Sequence, residues 1–131
     1  MNSKGRVRMK NQKKEWEGTP YPDVIRGLPE VDIPFEGIRA WVHQSPDKQV
    51  VFFDIEPVGV VPPHSHCAQW GMVIDGEMKL TIGEETKVYR KGDWYYIPAG
   101  VLHSATFLTR VFVIDLFDDP ARYNVKKDPA D

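Results

Sequence analysis

Apolar positions along this chain come in short bursts, not at helical spacing. From Gly37 onward, runs of four to eight residues rich in Val, Ile, Phe, Tyr and Trp alternate with clusters of Gly, Pro, Asp and Ser. The runs cover residues 38–43, 49–56, a stretch carrying Pro62-Pro63-His64, then 70–74, 77–82, 85–89, 94–97, 102–107 and 110–117. Eight or nine short strands at this spacing, with no amphipathic helix between them, predict an all-β sandwich or barrel. The turns are legible too. Ser45-Pro46-Asp47-Lys48 separates the first two runs, and a turn at Gly83 and another at Lys91-Gly92-Asp93 follow later. Asp75-Gly76 has the form of a two-residue hairpin turn, and Leu108-Thr109 is expected to act as another.

The flanks read differently. Residues 1–18 are basic and polar, with only Val7, Met9 and Trp16 as apolar anchors, and are expected to form a flexible arm. Between 19 and 34, Pro20, Pro22, Pro29 and Pro34 forbid a long helix. The run 50–55 is apolar on both faces, so one face should be covered by another chain or by residues 19–34, and a homodimer is expected. Residues 118–131 form a polar tail that should lie on the surface or fray. One barrel domain over 19–117 is therefore expected.

Charge sharpens this division. The formal net charge of −2 splits into +6 for the first fourteen residues and −8 for the rest. An acidic body argues against nucleic acid as the main partner. Cys67 is the only cysteine, which rules out an intrachain disulfide and fits a reducing compartment. No apolar run is long enough to span a membrane, and no apolar leader precedes the body. A cytoplasmic protein without membrane or nucleic-acid partners is expected.

Chemistry concentrates in two stretches. His64 and His66 stand two apart, and on a strand such side chains share one face. A third histidine, His103, follows a strand and a Pro98-Ala-Gly100 turn. Three imidazoles suit a divalent transition metal and leave positions open for water or substrate.

These stretches resemble the paired signature motifs of the cupin superfamily. The first reads Gly59, four residues, His64-x-His66, two residues, Gln69, six residues, Gly76; the second reads Gly92, five residues, Pro98-x-Gly100, two residues, His103, three residues, Phe107. The resemblance covers about residues 35–117. It implies a double-stranded β-helix, or jelly-roll, barrel with one divalent metal (Fe, Ni, Zn or Mn) held by His64, His66, Gln69 and His103. Two positions depart from the family pattern. Gln69 replaces a glutamate and lies one residue nearer to His66, so it either binds the metal through its amide oxygen or hydrogen-bonds within the pocket. A neutral ligand leaves the site at +2, which favours anionic substrates. Phe107 stands where an asparagine is usual and makes the pocket floor more apolar.

Alternation names the other pocket residues: Gly71 and Val73 share a face with Gln69, while Ala105 and Phe107 share one with His103. Of the adjacent Tyr95 and Tyr96, one should face inward. Trp70, Met72 and Trp94 are candidates for pocket wall or core. Cys67 is read as an inert buried thiol, and His43 as a surface histidine. The function this supports is a metal-binding cupin enzyme acting on a small polar or anionic molecule. Dioxygenase, lyase, isomerase and decarboxylase chemistry all stay open, and no catalytic acid or base is identified. The alternative is a non-catalytic module that senses a metal or small molecule.

Overall fold

The computed structural model describes residues 18–57 and 60–127. The basic arm up to residue 17, Gly59 of the first motif and the last four residues lie outside the described residues. The described chain forms one short helix, α1 (Asp23–Arg26), and nine strands: β1 (Ile38–Gln44), β2 (Gln49–Ile55), β3 (Val60–His64), β4 (Gln69–Asp75), β5 (Met78–Ile82), β6 (Glu85–Tyr89), β7 (Trp94–Ile97), β8 (His103–Phe107) and β9 (Val111–Phe117). They build a five-stranded sheet in the order β1-β2-β9-β4-β7 and a four-stranded sheet in the order β3-β8-β5-β6. Every pairing is antiparallel. The fold is the all-β jelly-roll barrel.

After the β1–β2 hairpin the chain repeatedly steps from one sheet to the other, and this corrects two expected turns. Asp75-Gly76 does not close a hairpin, because β4 pairs with β7 and β9 whereas β5 pairs with β6 and β8. Gly76 instead turns the corner between sheets. Its φ is +93°, and a Cβ there would collide with the Arg110 carbonyl. Leu108-Thr109 is the same kind of corner, from β8 to β9. Turn residues report a local reversal, and the partner of each strand is decided by distant registers. The Gly83 turn, by contrast, does close a hairpin, between β5 and β6.

Inward residues of the two sheets form the main core, with Val51, Val73, Ile97, Val113 and Phe117 all buried. The outer face of β1, β2 and β9 carries a second cluster. Tyr21 packs edge-on against Trp41, Phe52 and Phe112, with Ile25 and Leu28 alongside. The Tyr21 hydroxyl donates to the Phe53 carbonyl at 2.7 Å. Tyr21, Ile25 and Leu28 of the 19–34 segment therefore pack on the outer face of β2.

Residues 118–127 lie largely on the surface, and they are tied to the barrel. Gln49, fully buried on β2, donates from Nε2 to the carbonyls of Pro120 and Tyr123, and its Oε1 accepts the Tyr123 N–H. The Tyr123 ring packs edge-on against Phe53 and Phe117. Beyond it, the Asp32 N–H donates to the Asn124 carbonyl, and Val31 bridges to Val125. A buried amide with its hydrogen bonds satisfied outweighs the polarity of this tail, and residues 120–125 are strapped across one end of the barrel.

Candidate metal centre and cavity

His64 ends β3 directly opposite His103 of β8. The ladder slips between Val61 and His64, where Pro62-Pro63 has no N–H to donate. The chain then leaves the sheet, so His66 lies in the loop beyond β3. This corrects the expected route to convergence, which was alternation along one strand. His66 is aimed instead by the second motif: Gly100, at φ +81°, donates its N–H to the His66 carbonyl at 2.9 Å.

Each ring is fixed by a backbone carbonyl. His64 Nδ1 bonds to Pro62 O at 2.9 Å, His66 Nδ1 to Cys67 O at 2.8 Å, and His103 Nδ1 to Val101 O at 2.9 Å. A carbonyl only accepts, so these bonds assign the proton to Nδ1 in all three rings and leave each Nε2 lone pair free. One potential ligand atom from each histidine lies within 4.8 Å of the others. Nε2 of His66 and Nε2 of His103 stand 3.2 Å apart. Two lone pairs at that distance repel unless a cation sits between them. Nitrogens so spaced can both lie about 2.0–2.1 Å from one ion, at an angle of about 100°. Burial is the chief reason that His66 is pushed down to about 4 and His103 is lowered, so both stay neutral. The three-histidine cluster fits a divalent metal.

Gln69 lies buried at the start of β4, between Phe117 and Ile97. Its side chain hydrogen-bonds to Asp115, while its Oε1 is buried with no partner among the described residues. An amide oxygen left in that state is a donor for a cation. Cys67 is half-buried, and its sulfur lies 3.9 Å from Nδ1 of His66. His43 is exposed on β1.

A cavity of about 520 Å³ opens beside the histidines, and His64, His66, Tyr95, Ala105, Phe107 and Asp115 are among its walls. Three expected pocket residues are placed elsewhere. Tyr96 points outward and is 53 % exposed, because β7 alternates and Tyr95 takes the inner position. Val73 is buried in the core beyond the cavity wall. Gly71 faces inward but lies beneath two other side chains. Its register neighbours are Tyr95 on β7 and Asp115 on β9, and a Cβ there would collide with Asp115 Oδ1 and the Tyr95 ring. The glycine leaves room for the Tyr95 hydroxyl to reach across β4 and donate to Asp115 Oδ1 at 2.6 Å.

Asp115 and Arg122 are the functional candidates that sequence reasoning missed. Asp115 is buried, and desolvation pushes its carboxyl up to about 7, against the hydrogen bonds from Tyr95 and Gln69 and the charge of Arg122. Burial and the Asp115 charge in turn raise Tyr95, so its phenol stays protonated. A signal did exist: Asp115 breaks an inner face otherwise made of Val111, Val113 and Phe117, opposite a mid-strand glycine. Arg122 had none, since it belongs to the polar tail. It lines the cavity with its guanidinium over the rings of Tyr123 (4.3 Å) and Phe117 (5.6 Å), and its buried Nε has no partner among the described residues.

Comparison with known proteins supports this architecture. Residues 51–115 match the family model described as a cupin domain. No curated protein matches the chain significantly. Among solved structures, KdgF from Halomonas sp. is 28 % identical, with a TM-score of 0.63 over 70 % of this chain and 86 % of that one. An RmlC-like cupin from Shewanella frigidimarina is 24 % identical, with a TM-score of 0.65 over 73 % of this chain and 87 % of that one. The oxalate decarboxylase of Bacillus subtilis, described with Mn(II) centres, is 26 % identical over 65 % of this chain and 26 % of that one, with a TM-score of 0.58. Both signature motifs, the jelly-roll topology and the family match agree: the chain belongs to the cupin superfamily.

Proposed function

We propose that the protein is a metal-dependent enzyme that moves a proton at carbon in a small carboxylate-bearing substrate, as isomerases and lyases do. The observation that carries this reading is Asp115, a buried carboxyl near neutral pKa in the wall of the histidine-lined cavity. A general acid–base works best when its pKa lies near the working pH. Fixed side chains that set a carboxyl there are the arrangement proton transfer needs.

His64, His66 and His103 would hold a divalent metal, and the unpartnered Gln69 amide oxygen would be offered as a fourth ligand. A divalent ion there supplies Lewis-acid polarisation of a substrate oxygen. The other steps belong to the chain. Arg122 binds the substrate carboxylate through its guanidinium, held flat on Tyr123 and Phe117. Asp115 takes a proton from the carbon next to the polarised group and returns it at the neighbouring position or to the leaving group. Tyr95 keeps Asp115 Oδ1 aimed through the cycle. The apolar walls keep out water that would compete for the proton.

The test is hydrogen exchange. Protein loaded in turn with Zn, Ni, Fe and Mn is incubated in D₂O with a panel of 2-hydroxy and 2-keto acids, and loss of the carbon-bound proton is followed by NMR. Exchange on at least one acid is expected, abolished by Asp115→Asn with metal content unchanged. Exchange that survives Asp115→Asn would contradict the assignment.

A further inference from the structure

The cavity has a direction that the histidines alone do not reveal. Strand registers divide the barrel interior into layers along its axis. The first holds His64 and His103 on one sheet, with Gln69 and Phe117 on the other. The next holds Val61, Ala105 and Leu80 facing Gly71 and Asp115. The third holds Phe107 and Met78 facing Val113 and Phe53. Ile55, paired with Val111, lies beyond. Polar groups thus occupy the first two layers, and the third and beyond are hydrocarbon. Leu80, Met78, Phe107, Val113, Phe53 and Ile55 all line the same cavity.

Phe107 completes this floor where the family pattern carries a polar amide. The rim is separate: Phe35, Pro62 and Asn124 are exposed and also line the cavity, so they flank its opening. A ligand that places an anionic group at the histidines and Arg122 must lay the rest of itself against the hydrocarbon layers. Hydroxyl groups there would be desolvated without partners, which is costly, whereas methylenes would be favoured.

We propose that the substrate is an amphipathic carboxylate, with its charged head at the histidine–Asp115–Arg122 end and an aliphatic or aryl body on Leu80, Met78 and Phe107. This rests on the anion-binding metal site proposed above and narrows its substrate class. Polyhydroxylated acids such as sugar acids are disfavoured by the same surface.

The test is a binding series on the zinc-loaded full chain. Calorimetric titrations with lactate, 2-hydroxybutanoate, 2-hydroxyhexanoate and 2-hydroxyoctanoate would be compared with gluconate. Each added methylene should tighten Kd about fourfold until the floor is filled. Gluconate should bind at least about tenfold more weakly than 2-hydroxyhexanoate. Leu80→Asn should flatten the series and leave lactate within about twofold, and the unsubstituted protein alone carries the test should that variant not fold. Lactate binding that is lost in Arg122→Gln, with no gain along the series, would overturn this inference and leave the anion site standing. Failure of every acid to bind, lactate included, would overturn both.

Discussion

Two carboxylates are buried on adjacent strands of the same sheet, to nearly the same extent, and their surroundings differ in every other respect. Asp54 on the outer face of β2 is 3 % exposed, and Asp115 on the inner face of β9 is 4 % exposed. Asp54 receives both Nε and Nη2 of Arg110 at 2.9 and 2.8 Å, and Arg39 bonds to its second oxygen at 3.1 Å. Those guanidiniums lie over Phe112 and Trp41. Asp115 has a phenol and an amide as hydrogen-bond partners, and Arg122 acts on it only through its field. The first carboxylate is neutralised by paired charge and closes the outer face. The second is left where burial raises its pKa and a cavity gives it access to a ligand. Depth alone assigns neither role; the partners do.

The sharpest way to separate them is to neutralise each. Asp115→Asn keeps the volume and the bond from Tyr95, so turnover should fall about 10²–10⁴-fold with the fold intact, measured by exchange kinetics beside circular dichroism. Asp54→Asn should do the reverse. It should cost about 2–3 kcal/mol in denaturant unfolding, while turnover of the folded fraction stays within about twofold. That cost is below the loss expected for a fully buried pair, because Arg39 and Arg110 are 47 % and 38 % exposed.

Titration gives a second separation. A carboxyl near 3.9 when unfolded and near 7 when folded makes the native state bind the extra proton between those values. Its unfavourable contribution therefore grows as pH rises through that window and is complete above about 7. His66, lowered to about 4, works the opposite way and gains stability over about pH 4–6.5, so wild type alone would mix the two. The difference between Asp115→Asn and wild type isolates the carboxyl. In chelator-treated protein the variant should gain relative stability from pH 5 to pH 8, by on the order of a few kcal/mol. A flat difference would mean that Asp115 is already ionised at pH 5. The smallest effect is expected of Tyr95→Phe, which removes the donor that lowers the Asp115 pKa. Its pH–rate profile should move upward, with a loss of about 1 kcal/mol in stability.

Legibility in the sequence followed the range of the interactions. Strand positions were readable because alternation and turn chemistry act over a few residues. His64, His66 and His103 were readable because their motifs stand next to local turns. The sheet to which each strand belongs was not, and Asp75-Gly76 misled because the same dipeptide serves a hairpin or a corner between sheets. Tyr95 and Tyr96 could be separated only once β7 had a register against β4. Asp115 was visible as one polar residue on an apolar face, but its meaning depended on Gly71, directly opposite it on β4, and on Tyr95 beyond that glycine. Arg122 was hidden because Gln49, more than seventy residues earlier, places it.

The proposed chemistry requires the histidine cluster to hold a metal, so elemental analysis of protein purified without chelator tests it most directly, with His103→Ala alongside. About one transition metal per chain in the wild type is predicted, with retention weakened more than about 100-fold in the variant. No metal in the wild type, even after reconstitution with Fe, Ni, Zn and Mn, would contradict the proposed chemistry at its base.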